Sequence, residues 1–134
     1  MSALHYDSYT DARTHLKDLL DAAGRGRLAT VRRDASTVVV LDAERLRLLL
    51  ATNVPPAQVV PEAGGWSVFL PGLPVAADAA SFDEAIDEFV DALREYAADW
   101  QDRLLDVANH RDNWAVVALV GLSDDDQLRR WLVG

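Results

Sequence analysis

A chain of 134 residues, 50% hydrophobic and 26% charged, is long enough for one compact domain or two very small ones and too balanced in composition for disorder. It has no cysteine, which excludes a disulfide framework and a thiolate metal site, and no apolar run approaches the roughly 18 residues needed to cross a bilayer. The net charge of −9 is unevenly placed: residues 1–50 hold 8 Lys/Arg and 7 Asp/Glu, residues 51–134 hold 5 and 15, so the acidity belongs to the second half and the first can still offer a cationic face to a polyanion.

In chain order, residues 1–5 lack the basic stretch and apolar core of a signal peptide, and a cytoplasmic protein is expected. Leu4 to Ser8 alternates like a short edge strand. Ser8 and Thr10 both offer helix caps, Thr10 directly before an apolar-periodic run. A helix is expected to about Ala23, with Ala12, Leu16, Leu19, Leu20 and Ala23 on one stripe and Gly24 at its C-cap. Leu28–Arg33 and Thr37–Asp42 are β-rich and read as a hairpin about Asp34-Ala35-Ser36, without the glycine that a primed turn favours. The continuous apolar run Val38–Leu41 suggests a strand covered on both faces. Asp42 can cap a second helix, Ala43 to about Ala51, with Leu46, Leu49 and Leu50 on its apolar side.

The string Tyr9-Thr10-Asp11-Ala12-Arg13-Thr14-His15-Leu16, the pair Arg32-Arg33 and the run Val38-Val39-Val40-Leu41 stand in the order and spacing of the Phd/YefM (prevent-host-death) antitoxins, which the chain resembles over residues 4–50. His15 where Asn is common, Val31 where Thr is common, and the missing hairpin glycine are departures from that pattern. The resemblance implies a strand–helix–hairpin–helix module that dimerises and binds operator DNA, with Arg13 and Arg32 on the DNA. Lys17 and Arg33 are added as phosphate contacts, because exposed cations on a helix and a hairpin can reach the backbone, and Arg25 and Arg27 stand in the nearby loop. Against this stands an ordinary solvated surface in which the same cations pair with Asp11, Asp18 and Asp34. Dimerisation is expected from size, since a 50-residue module buries too little surface alone, and a two-fold axis would double the cations.

Pro55, Pro56 and Pro61 mark residues 53–61 as a semi-rigid linker. Beyond it, Gly65–Leu70 alternates like a strand, Pro71–Pro74 turns and Val75–Ala77 returns. Ser81-Phe82-Asp83-Glu84 reads as a capping box before a helix whose apolar stripe could continue, straight or with a kink, for seven turns, to about Asn109. Strand, Pro-x-Leu-Pro turn, strand and this helix resemble the HicB-like antitoxin fold over residues 64–97. Trp114–Leu122 is expected as a buried strand pairing with Trp66–Leu70, and Ser123 as the cap of a last helix docked by Leu128, Trp131 and Leu132.

The carboxylates from Asp83 to Asp106 fall opposite the apolar stripe; they are a solvated helix face or an anionic surface for a basic partner, and one face can be both. Catalysis finds no purchase. His110-Arg111-Asp112-Asn113 lacks the context of a kinase loop, and His110 is expected at the surface. No Ser or Thr sits in a glycine-flanked elbow, only Glu62 and Asp78 lie near strand ends, and Asp124–Asp126 favour a helix start better than a metal. The four Trp residues, at 66, 100, 114 and 131, read as packing.

The expectation is therefore an α+β, non-enzymatic antitoxin without cofactor or metal. Residues 1–52 would be the DNA-binding dimer module, 53–61 the linker and 62–134 an acidic HicB-like α/β sandwich holding a cognate toxin near Trp66, Phe69, Asp87, Asp91 and Glu95. A stand-alone transcriptional regulator with a ligand- or protein-sensing C-terminal domain is the alternative.

Overall fold

The computed structural model describes residues 4–134; residues 1–3, where the first domain was expected to begin, lie outside the described residues. The chain is α+β, with two three-stranded sheets and six α-helices among the described residues. It divides into two compact units, one ending at Leu46 and the other running from Arg47 to Gly134.

In the first unit, β1 (Leu4–Tyr6) lies parallel to β2 (Ala29–Arg33), and β3 (Ser36–Val40) pairs antiparallel on the other side of β2. A parallel pair needs a crossover, which α1 (Tyr9–Thr14) and α2 (Leu16–Gly24) supply. The single helix expected over this stretch is two. His15 leaves helical geometry at φ −113° and ψ 27°, and its Nδ1–H donates to the Asp11 carbonyl at 2.9 Å while its ring stacks on Tyr6 at 5.4 Å. The cap is Ser8, whose Oγ accepts from the Asp11 N–H at 3.1 Å; Thr10 is already inside the helix.

The break rephases the apolar stripe. Ala12, Leu19, Ala22 and Ala23 are buried, whereas Leu16 and Leu20 are exposed. Gly24 is the last helical residue, not the left-handed one. Gly26 takes that role at φ +90°, and the Arg27 N–H reaches back to the Ala22 carbonyl at 3.0 Å in a Schellman closure. A β-carbon on Gly26 would come within 2.8 Å of the Arg45 guanidinium.

The hairpin forms in the expected place, with Asp34 at φ +54° doing what glycine would do. Val38–Leu41 is not covered on both faces. Val38 and Val39 are 52% and 49% exposed because β3 is the sheet edge, with no fourth strand beside it among the described residues. Ala12, Leu19, Ala29 and Val31 form the small core, with Leu4, Tyr6 and Val40 packed against it.

α3 (Ala43–Asn53) begins with the Asp42 carboxylate accepting from the Arg45 N–H at 3.0 Å, as its sequence predicts. The second unit follows. Most of β4 (Gln58–Glu62) falls in the expected linker, and it pairs antiparallel with β5 (Gly65–Phe69); β5 pairs antiparallel with β6 (Ala76–Ala79). Pro61 is tolerated because β4 is an edge strand. Gly65 is required at the β4–β5 turn, since a β-carbon there would lie 2.4 Å from the Ala79 carbonyl oxygen.

α4 (Phe82–Asp99) is capped by Ser81, whose Oγ accepts from the Glu84 N–H at 3.2 Å. It packs Ile86, Phe89, Val90 and Leu93 inward, between the sheet and the later helices. It does not continue for seven turns: a π-turn at Trp100–Leu104 ends it, and the buried Trp100 indole N–H donates to the His110 carbonyl at 2.7 Å. His110 is half-buried instead of at the surface, with its Nδ1 2.8 Å from the Tyr96 hydroxyl.

The expected strand Trp114–Leu122 is a helix, α5, packed on α4, so the sheet stops at three strands and the predicted pairing with Trp66–Leu70 does not exist. Nine apolar residues in a row carry no period, and burial alone cannot tell strand from helix. The last helix, α6 (Asp125–Leu132), is capped by Asp124 in a capping box with Gln127, while the Ser123 hydroxyl donates to the Leu119 carbonyl at 2.6 Å. Leu128, Trp131 and Leu132 dock it as expected.

Candidate functional site

The cations of the first unit sit on three elements. Arg13 is exposed in the last turn of α1. Lys17 is exposed on α2, but its ammonium donates to the Asp21 carboxylate at 2.8 Å. That hydrogen bond and charge raise the Lys17 pKa and lower that of Asp21.

Arg32 and Arg33 end β2 and alternate. Ala29 and Val31 are buried beneath the helices, so Arg33 continues their face and Arg32 stands on the other. Arg33 confirms its side by stacking over the Tyr9 ring at 5.3 Å. Arg32 lies opposite Thr37 on the open face of the sheet, which it shares with Thr30, Val39 and His5. The His5 Nδ1 lies 2.7 Å from the Thr30 hydroxyl.

Arg13 and Arg33 are thus both tied to α1, one as a member and one stacked on its first residue, while Arg32 faces away from the helices. Tyr9 is the positioning residue that sequence reasoning did not single out: it holds a cation 24 positions further on, a distance no local pattern reports. Arg25 and Arg27 line a recess of about 390 Å³ together with Asp18 and Asp21, which opposes their charge.

In the second unit the expected partner-binding residues do not share a surface. Trp66 faces α4 and meets the Phe82 ring edge-on at 5.5 Å, whereas Phe69 lies on the opposite face of β5, beside Ala76 and Gln58. Asp87 is engaged by Arg129 Nε at 2.7 Å, and the carboxylate raises the pKa of that guanidinium. Asp91 and Glu95 are exposed and form no ion pair among the described residues. With Glu84 and Glu88 they make an anionic stripe along α4.

Arg94 on the same helix is structural. Its Nη1 donates to the Val120 carbonyl at 2.7 Å and its Nη2 to the Ser123 carbonyl at 2.8 Å and to Asp125 Oδ1 at 2.9 Å, closing the corner between α5 and α6.

Glu62 and Asp78 line a recess of about 270 Å³ at one end of the second sheet, and the Ser67 hydroxyl donates to Asp78. Among the described residues, no group of three or more His, Asp or Glu is placed to hold a metal, and no helix is long and apolar enough to cross a membrane.

The chain matches, over residues 1–131, the family described as PHD-like, antitoxin of toxin–antitoxin, RelE/RelB, TA system. Among solved structures it is similar to an antitoxin part of a candidate toxin/antitoxin system from Syntrophomonas wolfei subsp. wolfei, with a TM-score of 0.80 and 19% identity over 98% of this chain and 96% of that one. At that identity the likeness is one of fold. No curated protein matches by sequence.

Proposed function

Because the chain belongs to the PHD-like family of antitoxins of RelE/RelB toxin–antitoxin systems, we propose that it neutralises a cognate toxin by direct binding and represses its own operon by binding operator DNA as a dimer. The family match over residues 1–131 carries the reading. Stoichiometric binding, not turnover, is the mechanism.

For DNA, the Tyr9–Arg33 stack favours an α1-centred contact. An arginine stacked on an aromatic ring is pre-organised, so less side-chain entropy is lost when it meets a phosphate. Arg13 then reads or clamps the duplex from the same helix, and Lys17 exchanges Asp21 for a phosphate. Arg32, on the other sheet face, reaches the same duplex only if a second protomer brings that face to the DNA. The dimer is supported by the exposed Val38 and Val39 on an unpaired strand edge and by Leu16 and Leu20 on α2.

For the toxin, the acidic second unit supplies the partner surface. Its 6 Arg and 15 Asp/Glu give a net of −9, which steers a basic protein towards it.

A gel shift tests the DNA half. Arg13→Ala should abolish the operator complex while the dimer persists in sedimentation, and unchanged binding would remove Arg13 from the interface. Co-expression tests the other half. The chain should restore growth to cells carrying the toxin of the adjacent reading frame and co-purify with it; failure of both would end the antitoxin reading.

A further inference from the structure

α5 carries no charged side chain and no polar group besides the Trp114 indole N–H: Trp114 to Leu122 reads Trp-Ala-Val-Val-Ala-Leu-Val-Gly-Leu. A helix that is apolar all round belongs inside a structure. Only one side of α5 is inside. Val117, Leu119 and Val120 are buried, whereas Trp114 is 53% exposed and Gly121 is exposed. Above Gly121 there is open space, for a β-carbon built there meets nothing within 4 Å. Leu105 and Val107, in the turn leading to α5, are also exposed. Scattered apolar residues are normal on a surface, but an exposed helix face without one charged side chain is not. Tryptophan is also the residue most enriched among binding hot spots.

Charge decides what covers this face. The unit that carries α5 has a net charge of −9, and among its arginines Arg94 is engaged by Asp125, Arg103 by Asp99 and Arg129 by Asp87. Asp106 and Asp112 are exposed just before α5, and Asp124 just after it. A second copy would set −9 against −9, whereas a basic partner would be drawn in.

We propose that the outward face of α5, anchored by Trp114, is where the cognate toxin docks, through an apolar segment bordered by Lys or Arg. The proposal rests on the antitoxin reading and moves the toxin contact from the α4 stripe, which steers, to α5, which anchors.

The test uses the full chain and the tagged product of the adjacent toxin reading frame. Gly121→Arg points a cationic side chain into open space, so circular dichroism should show an unchanged or higher Tm. The same variant should lose toxin binding by about 30-fold or more, the mark of a hot-spot position. Gly121→Ala is the control and should fold and bind like the wild type. Trp114→Ala should fold and bind at least about 30-fold more weakly.

Toxin binding by Gly121→Arg at wild-type strength would overturn the proposal. So would a wild-type oligomer that Gly121→Arg dissociates without toxin, because a second copy would then be the occupant. A wild-type chain that does not hold the toxin at all would refute the antitoxin reading and this occupant with it. That result is distinct from one in which the wild type binds and all variants bind equally.

Discussion

Lys17 meets Asp21 before it can meet a phosphate. The pair sets a pH window with a definite sign. Asp21 is held below its ordinary value of 3.8, so its contribution is present above that pH and fades as pH falls through the lowered pKa. Lys17 is held above its ordinary 10.5, so its contribution is present below that pH and fades as pH rises through the raised pKa. An NMR titration should place the Asp21 midpoint below 3.8, and Lys17→Met should move it back up. If Lys17 serves DNA, Asp21→Asn frees it. Operator affinity at low salt should then rise, and the dependence of log K on log salt should steepen by about one, read by fluorescence anisotropy. At Arg94 the prediction concerns folding. Arg94→Met removes the donors of the Val120 and Ser123 carbonyls and should lower unfolding free energy by about 2 kcal/mol in urea titrations. The types and positions of these residues were legible in the sequence. Lys17 and Asp21, four apart on one helix, are a local pair, but the other partners were not legible, because Arg94 and Asp125 are 31 positions apart, and Arg33 and Tyr9 meet only once the hairpin returns over α1.

At the scale of elements, two glycines separate tight packing from open space. Gly65→Ala forces a β-carbon towards the Ala79 carbonyl and should cost about 1–3 kcal/mol. Gly121→Ala adds a methyl group where nothing stands and improves helix propensity, so it should gain about 0.5–1 kcal/mol in the same urea titrations. Periodicity located the helical stretches of α2, α3, α4 and α6, with the expected caps at Asp42 and Ser81, but Leu16, Leu20 and Leu49, read as apolar-face residues, are exposed, and α6 is capped by Asp124 in place of Ser123. It misassigned α5, where every residue is apolar and the period vanishes, and it could not see the break at His15, which depends on a ring stacking on Tyr6 in another element. The residues read as linker became β4 because β5 offered them a ladder, and Pro61 needed only an edge to be accommodated there.

For the whole molecule, the first unit has few buried residues to hold it, with Ala12, Leu19, Ala29 and Val31 as its core and two valines of β3 left in water. A dimer through that edge would add the missing burial. Val39→Lys should therefore shift sedimentation towards monomer and weaken operator binding in parallel, while the second unit keeps its helical circular dichroism signal. If operator affinity is unchanged in a monomeric Val39→Lys chain, DNA binding does not need this edge. The charge division between the units follows the proposed division of roles: residues up to 46 are balanced in charge and residues 47–134 carry the whole net of −9.

By itself, the sequence determined the α+β class, the order of most elements, the caps at Asp42 and Ser81, and the antitoxin character of the chain, because these depend on short-range spacing and local hydrogen bonding. Only the tertiary structure decided which cations share a face, that Trp66 and Phe69 point apart, that β3 is an edge and that α5 is a helix with an uncovered side. Each of these depends on which distant segment lies alongside. Pairing across a sheet and packing across a core join residues tens of positions apart, and nothing in a local window encodes the partner.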